Sequence, residues 1–376
     1  MSIQVIPVQT PREKRDFLKL PWKIYKSNEY WIPPLKKNQK ELVGFADHPF
    51  YENAEAQAFL ATQDGKPVGR LHAIVDHGHN TYYKEKRGFF GFFESIDNSE
   101  VARKLFDAGK QWHAERDIFQ IRGPSNPSMN YECGLLVDSF DIAPTFMMTY
   151  NHPYYERLIL ENGFLKSQDL YSFYCHVSML AKLDKKLAFI GEETISRFNV
   201  KMRPIDKKNF ERDLGIFMDI YNRSLPGQWG FVPMSQAEVN HTAQSLKFLL
   251  ATELTSIAEV DGKAIGVQFA LLDYNPRIKK INGSLFPFGF LKLLFNKRQI
   301  KKIRMISTNV VPEYQKWGIG LALLYQLVPD ILEWGIQEAE LSWVLESNKL
   351  SRGTIERSGA DREKTHRMYD YDGSSS

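Results

Sequence analysis

Two stretches of the chain alternate apolar and polar residues in the same order. FLATQDGKPVGRLHAIVD (Phe59–Asp76) and SIAEVDGKAIGVQFALLD (Ser256–Asp273) each read as strand, Asp-Gly turn, strand. An Asp-Gly pair between alternating runs signals a hairpin, because the turn needs residues that accept a positive φ. Upstream, IQVIPV and VKMRPI align at the same offset: Pro7 and Pro204 stand as far apart as Asp64 and Asp261. Two landmarks at one offset mark an internal repeat. In the first half GFFGFFES then reads as a strand and NSEVARKLFDAGKQWHAERD as a helix. Asn98 or Ser99 is its N-cap, with Glu100 in the first turn. IFQIRG is the next strand. In the second half KKIRMISTNVV is a strand and GIGLALLYQLVPDILEWGIQE a helix, with a kink expected at Pro329. AELSWVLE follows as a strand, then a helix from about Asn348. The pattern predicts an α/β layered domain, twice. Domain one covers 1–180, a charged helical join 181–198, and domain two 199–376.

Composition narrows the class. The chain has 376 residues, 43% of them hydrophobic and 25% charged, as in soluble globular proteins. A net charge of +4 is too small and too dispersed for a nucleic-acid surface, so no nucleic-acid partner is expected. Two cysteines, Cys133 and Cys175, argue against a disulfide scaffold and for a reducing compartment. The N-terminus lacks the basic and apolar regions of a signal peptide, and no run approaches the length of a membrane span. The expected location is the cytoplasm, with peripheral contact at the inner membrane as a variant of that expectation.

The chemistry concentrates in NVVPEYQKWGIG (Asn309–Gly320), between a strand and a helix. No Lys-Ser/Thr follows the glycines, which excludes a P-loop, and no third glycine completes a dinucleotide fingerprint. What remains is V-x-P-x-x-Q-x-x-G-x-G: Val310, Pro312, Gln315, Gly318 and Gly320. A helix N-terminus offers N–H groups and a positive dipole end, and glycines let the backbone approach a pyrophosphate. Lys316 could add a point charge.

This segment resembles the acyl-CoA-binding signature, Q/R-x-x-G-x-G/A, of the GNAT superfamily of N-acetyltransferases. ESNKLSRGTIERSGA resembles the family's next motif, with Asn348 and Gly359 at the expected separation. The resemblance covers roughly Val200 to Tyr371. The first half resembles the same fold more weakly, through YYERLILENGF (Tyr154–Phe164), and SIDNSEVA replaces its glycine cradle. The resemblance implies two tandem GNAT-like domains, each a mixed, mostly antiparallel sheet flanked by helices, with one acyl-CoA site in the second. It further implies that Val310 and Val311 face the pantetheine arm and that the Val310 N–H polarises the thioester carbonyl. Gln315, Lys316, Trp317, Gly318, Ile319, Gly320 and Leu321 would cap the pyrophosphate. Asn348 would meet the pantetheine and Arg352 a CoA phosphate. The co-substrate would be acetyl-CoA or a longer acyl-CoA, with no metal.

The sequence departs from the family at two places. Ile355 stands where many members carry a tyrosine acid, and Ser351 where alanine is usual. Tyr369 or Tyr371 would then have to fill the acid's role. Glu346 is the first candidate for general base, with Glu259 and His366 as alternatives; each also reads as a solvated or paired side chain.

Other residues carry weaker signals. A Cys133 pair with His113 or His152 has no supporting spacing, and a buried structural thiol is the better reading. His72, His77 and His79 lack a fixed third ligand, so a loop outweighs a metal site. RGPSNPSMNYECG is a turn-rich loop that serves equally as an acceptor wall or an ordered connection. The insert 281–304 joins Phe286, Phe288, Phe290, Leu291 and Phe295 to Lys297, Arg298, Lys301, Lys302 and Arg304. It reads as a helix packed on a neighbouring domain, a lipid-facing element, or a wall for a long acyl chain beside a dock for an acidic acyl carrier protein. Some bacterial two-domain GNAT-like proteins are associated with N-acylation of amino acids or long-chain amines, including sphingoid bases. The expected function is therefore acyl transfer from CoA, or from acyl carrier protein, to a small-molecule or lipid amine. The alternatives are a non-catalytic acyl-CoA sensor of the same fold and an aminoacyl-tRNA-dependent transferase.

Overall fold

The computed structural model describes residues 2–182 and 185–374, and the chain divides into two compact units. Unit one comprises Met1–Leu170, Asn275–Leu293 and Lys364–Ser376; unit two comprises Tyr171–Tyr274 and Leu294–Glu363. The units thus cross the linear halves at an internal lobe and at the C-terminal strand. Of the helical join, Lys185–Arg197 is an α-helix, while 183 and 184 lie outside the described residues, as do 375 and 376 of the C-terminal tail. Both units are α/β with mixed sheets.

In unit one the strands Ile3–Pro7, Ala54–Gln63, Lys66–Asp76 and Arg87–Ser95 pair antiparallel in that order. Arg87–Ser95 then pairs in parallel with Gln120–Gly123, and Tyr369–Asp372 closes antiparallel on Gln120–Gly123. The helix Ser99–Ala114 buries Val101, Ala102, Leu105 and Phe106 in the same cluster as Leu71, Phe90 and Ile121. Its amphipathic spacing presents these residues as one stripe. A second cluster gathers Phe17 of the helix Pro11–Ile24 with Ala58, Leu60 and Phe92. Thr10 and Glu13 form a capping box at that helix's start. Burying a side chain of Phe17's size stabilises by roughly 1.5–3 kcal/mol.

Unit two repeats the plan. Lys201–Arg203, Thr255–Val260, Lys263–Leu272 and Lys302–Val310 pair antiparallel in order, and Lys302–Val310 pairs in parallel with Glu338–Leu345. Leu323 and Ile319 of the helix Ile319–Trp334 lie against Gly266, where an added Cβ would sit 3.1 Å from Leu323. Phe217 of the helix Phe210–Ser224 meets Phe269 with ring centroids 5.4 Å apart. Gly266 and Phe269 are three apart on one strand, so the two helices cover opposite faces. Both hairpin turns have positive φ at both central residues, Asp64 and Gly65 in one and Asp261 and Gly262 in the other. That is the type I′ geometry the Asp-Gly pairs predict. Among the described residues no helix is long and apolar enough to cross a membrane.

Candidate active site

The strand Lys302–Val310 has a parallel partner for only part of its length. Its register with Glu338–Leu345 runs from Lys302↔Glu338 to Met305↔Leu341 and stops. From Ile306 the two strands part, leaving Ile306 and Ser307 half-buried and Thr308 exposed. The strand's other edge stays paired to its end, with Val311 N–H donating to Ile265 O at 2.9 Å. Backbone groups alternate in direction along a strand. Val310, one residue earlier, therefore turns its N–H and C=O toward the parted side. Gln315 Nε2 donates to Val310 O at 3.0 Å and to Ser224 O at 3.2 Å, pinning the strand end to the neighbouring helix. Asn309 is buried and donates to Ser224 Oγ at 2.8 Å. One expectation changes here: Val311 spends its N–H within the sheet, so of the two valines Val310 alone turns its N–H to a donor arm.

The glycine segment forms a short 3₁₀ turn, Pro312–Trp317, and then Gly318 at φ 79° starts the helix Ile319–Trp334. No side chain caps this helix. Leu321 and Ala322 N–H both donate to Gly318 O at 3.0 Å, so Leu321 is spent inside the turn. Ile319 and Gly320 occupy the first helical positions, whose N–H groups precede the intrahelical ladder. An added Cβ at Gly320 would lie 3.8 Å from Thr308 Cγ2 and 3.9 Å from Val310 Cγ2, in ordinary contact. Gly320 therefore looks onto the parted strand, and a longer side chain would extend across it. This room suits a phosphate-bearing arm entering along the gap. At Gly318 a Cβ would come within 2.9 Å of Thr194 Oγ1, which donates to Trp317 O at 3.1 Å. Trp317 lies between Phe198 and Tyr314, tilted against both, with ring centroids 4.2 Å and 4.7 Å away. Lys316 is exposed.

Asn348 caps the helix Lys349–Arg357, its Oδ1 accepting from Ser351 N at 3.1 Å. Arg352 reaches back to Glu346 O at 3.4 Å and lies 3.6 Å from Glu356. Glu346 follows the end of Glu338–Leu345, and its Oε1 accepts from Tyr171 OH at 3.3 Å. Tyr171 carries no family motif in the sequence, and only the structure brings it to Glu346. Ile355 packs on the cluster of Tyr171, Phe173 and Ala360, an apolar place with no proton to give.

The alternative acids and bases fall elsewhere. Tyr369 is fully buried in the core of unit one and donates to Glu156 Oε1 at 2.8 Å. Burial, and then the Glu156 carboxylate, push its pKa well up. Tyr371 packs on Phe164 in the same unit, and buried His366 lies 3.2 Å from Thr149 O. Tyr369 therefore leaves the catalytic set, because the last strand from Lys364 onward completes unit one. Glu259 is paired with Arg203 at 2.9 Å. Cys133 is buried, and burial pushes the Cys175 thiol up to about 11. His113 is held between Gly109 O and Ile74 O, and His152 is stacked on Tyr25 at 4.6 Å. His77 and His79 meet Glu55 and Glu85. Among the described residues no group of three or more metal-ligating side chains gathers.

No family model matches the chain. The bacterial ceramide synthase of Caulobacter vibrioides is 32% identical over 98% of this chain and 97% of its own length. Protein YghO of Escherichia coli is 32% identical over 96% and 94%. The chain belongs to the family of these two proteins. Its fold is the tandem GNAT fold: a tandem GNAT protein from the clavulanic acid biosynthesis pathway superposes with TM-score 0.58 over the whole of both chains, at 10% identity. The parted strand with its glycine-led helix lies in the second of the two units.

Proposed function

We propose that the enzyme transfers an acyl group from a CoA thioester to the amine of a long-chain base, forming an amide and releasing the thiol. The observation that carries this reading is the gap beyond Met305 and Leu341, where Val310 turns its N–H inward beside an uncapped helix start. The helix start at Ile319 and Gly320 would receive the pyrophosphate, with Lys316 as a point charge. The pantetheine amides would pair along Ile306–Val310 as an added strand does. Asn348 and Arg352 would flank the arm from the facing helix. The amine nitrogen attacks the thioester carbonyl carbon, and the Val310 N–H stabilises the developing oxyanion. Glu346, held by Tyr171, accepts the ammonium proton directly or through water. The intermediate collapses by breaking the C–S bond, and the departing thiolate takes its proton from Glu346 or from water. Positioning alone supplies up to roughly 7–11 kcal/mol of the barrier, so no tyrosine acid at position 355 is required. The acceptor class is drawn from the relative named bacterial ceramide synthase.

The test is thiol release and amide formation with acyl-CoA of several chain lengths and sphinganine, set against short amines. Rapid turnover with the long-chain base and a long acyl-CoA is expected. Thioester binding without thiol release would return the chain to the sensor reading. Turnover with acyl carrier protein alone would replace CoA as the donor.

A further inference from the structure

We propose that the lobe Asn275–Leu293 docks the enzyme onto an anionic lipid surface. Its tip carries Phe286, Phe288 and Leu291 at 88%, 67% and 63% exposure, with Phe290 at 44%. The chain then runs on to Phe295, 78% exposed. Single exposed apolar residues are ordinary, but a run of large ones within ten residues is not. The base of the insert packs on the first half of the chain, as the first of its three readings expects, while Phe286 and Phe288 stay exposed at the tip.

The base of the lobe is firmly tied, so the exposed tip is presented and not merely loose. Asn275 donates to Pro144 O at 2.7 Å, and Arg277 donates to Leu293 O at 2.9 Å. Trp22 Nε1 donates to Asn282 Oδ1 at 2.7 Å, and Lys36 N–H to Gly283 O at 3.0 Å. Gly283, at φ 67°, sits where an added Cβ would strike Pro34 O at 2.1 Å. Ile278 and Leu293 are buried beneath.

Charge selects the occupant. From position 275 to 293 the chain carries four basic residues, Arg277, Lys279, Lys280 and Lys292, and no acidic residue. Lys279, Lys280 and Lys292 are exposed within the lobe itself. A second copy would bring like charge to like charge. An anionic headgroup layer supplies the opposite sign, and the hydrocarbon boundary beneath it takes the phenylalanines. The proposal stands on the lobe alone and is tested without acyl substrate.

Purified full-length protein is sedimented with phosphatidylcholine vesicles with and without phosphatidylglycerol. Binding to the anionic vesicles, weakened by added salt, is expected. The double variant Phe286→Ser/Phe288→Ser should partition roughly tenfold more weakly with an unchanged unfolding temperature. Lys280→Glu/Lys292→Glu should lose the preference for anionic vesicles. A Phe288→Trp reporter should shift its emission to the blue on anionic vesicles, a gain of signal that misfolding does not imitate. Equal sedimentation with and without vesicles would overturn the proposal, as would wild-type partitioning of the serine variant. Capture of an acidic carrier protein, or a dimer lost in the serine variant, with no vesicle binding in either case, would equally overturn it.

Discussion

The two units place equivalent residues at the same register and then treat them oppositely. Gly69 faces Ser95 across the sheet, as Gly266 faces Val310. Ser95 N–H donates to Tyr155 OH at 3.1 Å, so a hydroxyl of the chain covers the group that Val310 turns to the gap. Arg87–Ser95 also loses its parallel partner early, after Phe89↔Arg122. There the loop that follows Gly123 fills the space: Phe92 N–H donates to Asn126 Oδ1 at 2.6 Å, and a Cβ on Gly91 would strike Ser125 O at 1.8 Å. Finally, Asn98 Oδ1 accepts from Glu100 N and Val101 N, taking the helix-start donors that unit two leaves without a side-chain cap. A duplicated scaffold has thus been closed in one copy with the chain's own polar groups. In unit one the N–H groups of Ser95, Phe92, Glu100 and Val101 all have partners within the chain.

The largest expected effect tests the open copy. Glu346→Gln should lower kcat by roughly 10²–10⁴ while leaving thioester binding intact, read by single-turnover thiol release. Unchanged kcat would move the base elsewhere. The next contrast is acid sensitivity. His72 occupies in unit one the place Phe269 holds in unit two, and burial, then Arg70, press its pKa down to about 3. Its folded-state pKa is below the unfolded value, so its contribution is complete above about pH 6.5. It is lost by about 1.4 kcal/mol per pH unit as pH falls toward 3. Denaturant unfolding between pH 7 and 5 should fall at least this steeply, because burial presses His113 down too, to about 4, and His72→Leu should make the slope shallower without abolishing it. Gly318→Ala should cost about 1–2 kcal/mol from its positive φ, beyond the clash with Thr194, while Gly320→Ala stays near neutral. Equal costs in denaturant titrations would break the distinction between strained turn and open cradle. The smallest effect belongs to the closed copy. Asn98→Ala should cost about 1 kcal/mol as a lost cap without adding a second thioester site by calorimetry.

Much of this contrast is legible in the sequence because it rests on local rules. Asp64-Gly65 and Asp261-Gly262 announce their turns, Asn98 announces a capped helix, and Gly318 announces an uncapped one. The GxG segment points to the cradle for the same reason. What the sequence hides is long-range. Nothing in GPSNP says that Asn126 will reach Phe92, and nothing near Tyr171 says that it will hold Glu346. Tyr369 misleads because it stands at a suitable distance along the chain, whereas strand pairing with Gly123 carries it into the core of unit one. Val311 misleads in a smaller way, since one step along a strand reverses the direction of its N–H.

One donor site per chain, in the second unit, is the expectation on which the proposed chemistry depends. Calorimetric titration of the full-length protein with a non-hydrolysable acyl-CoA analogue counts the sites. One analogue should bind per chain, with binding abolished by Gly320→Glu and unaffected by Asn126→Ala. Two sites per chain, or full binding by Gly320→Glu, would contradict it.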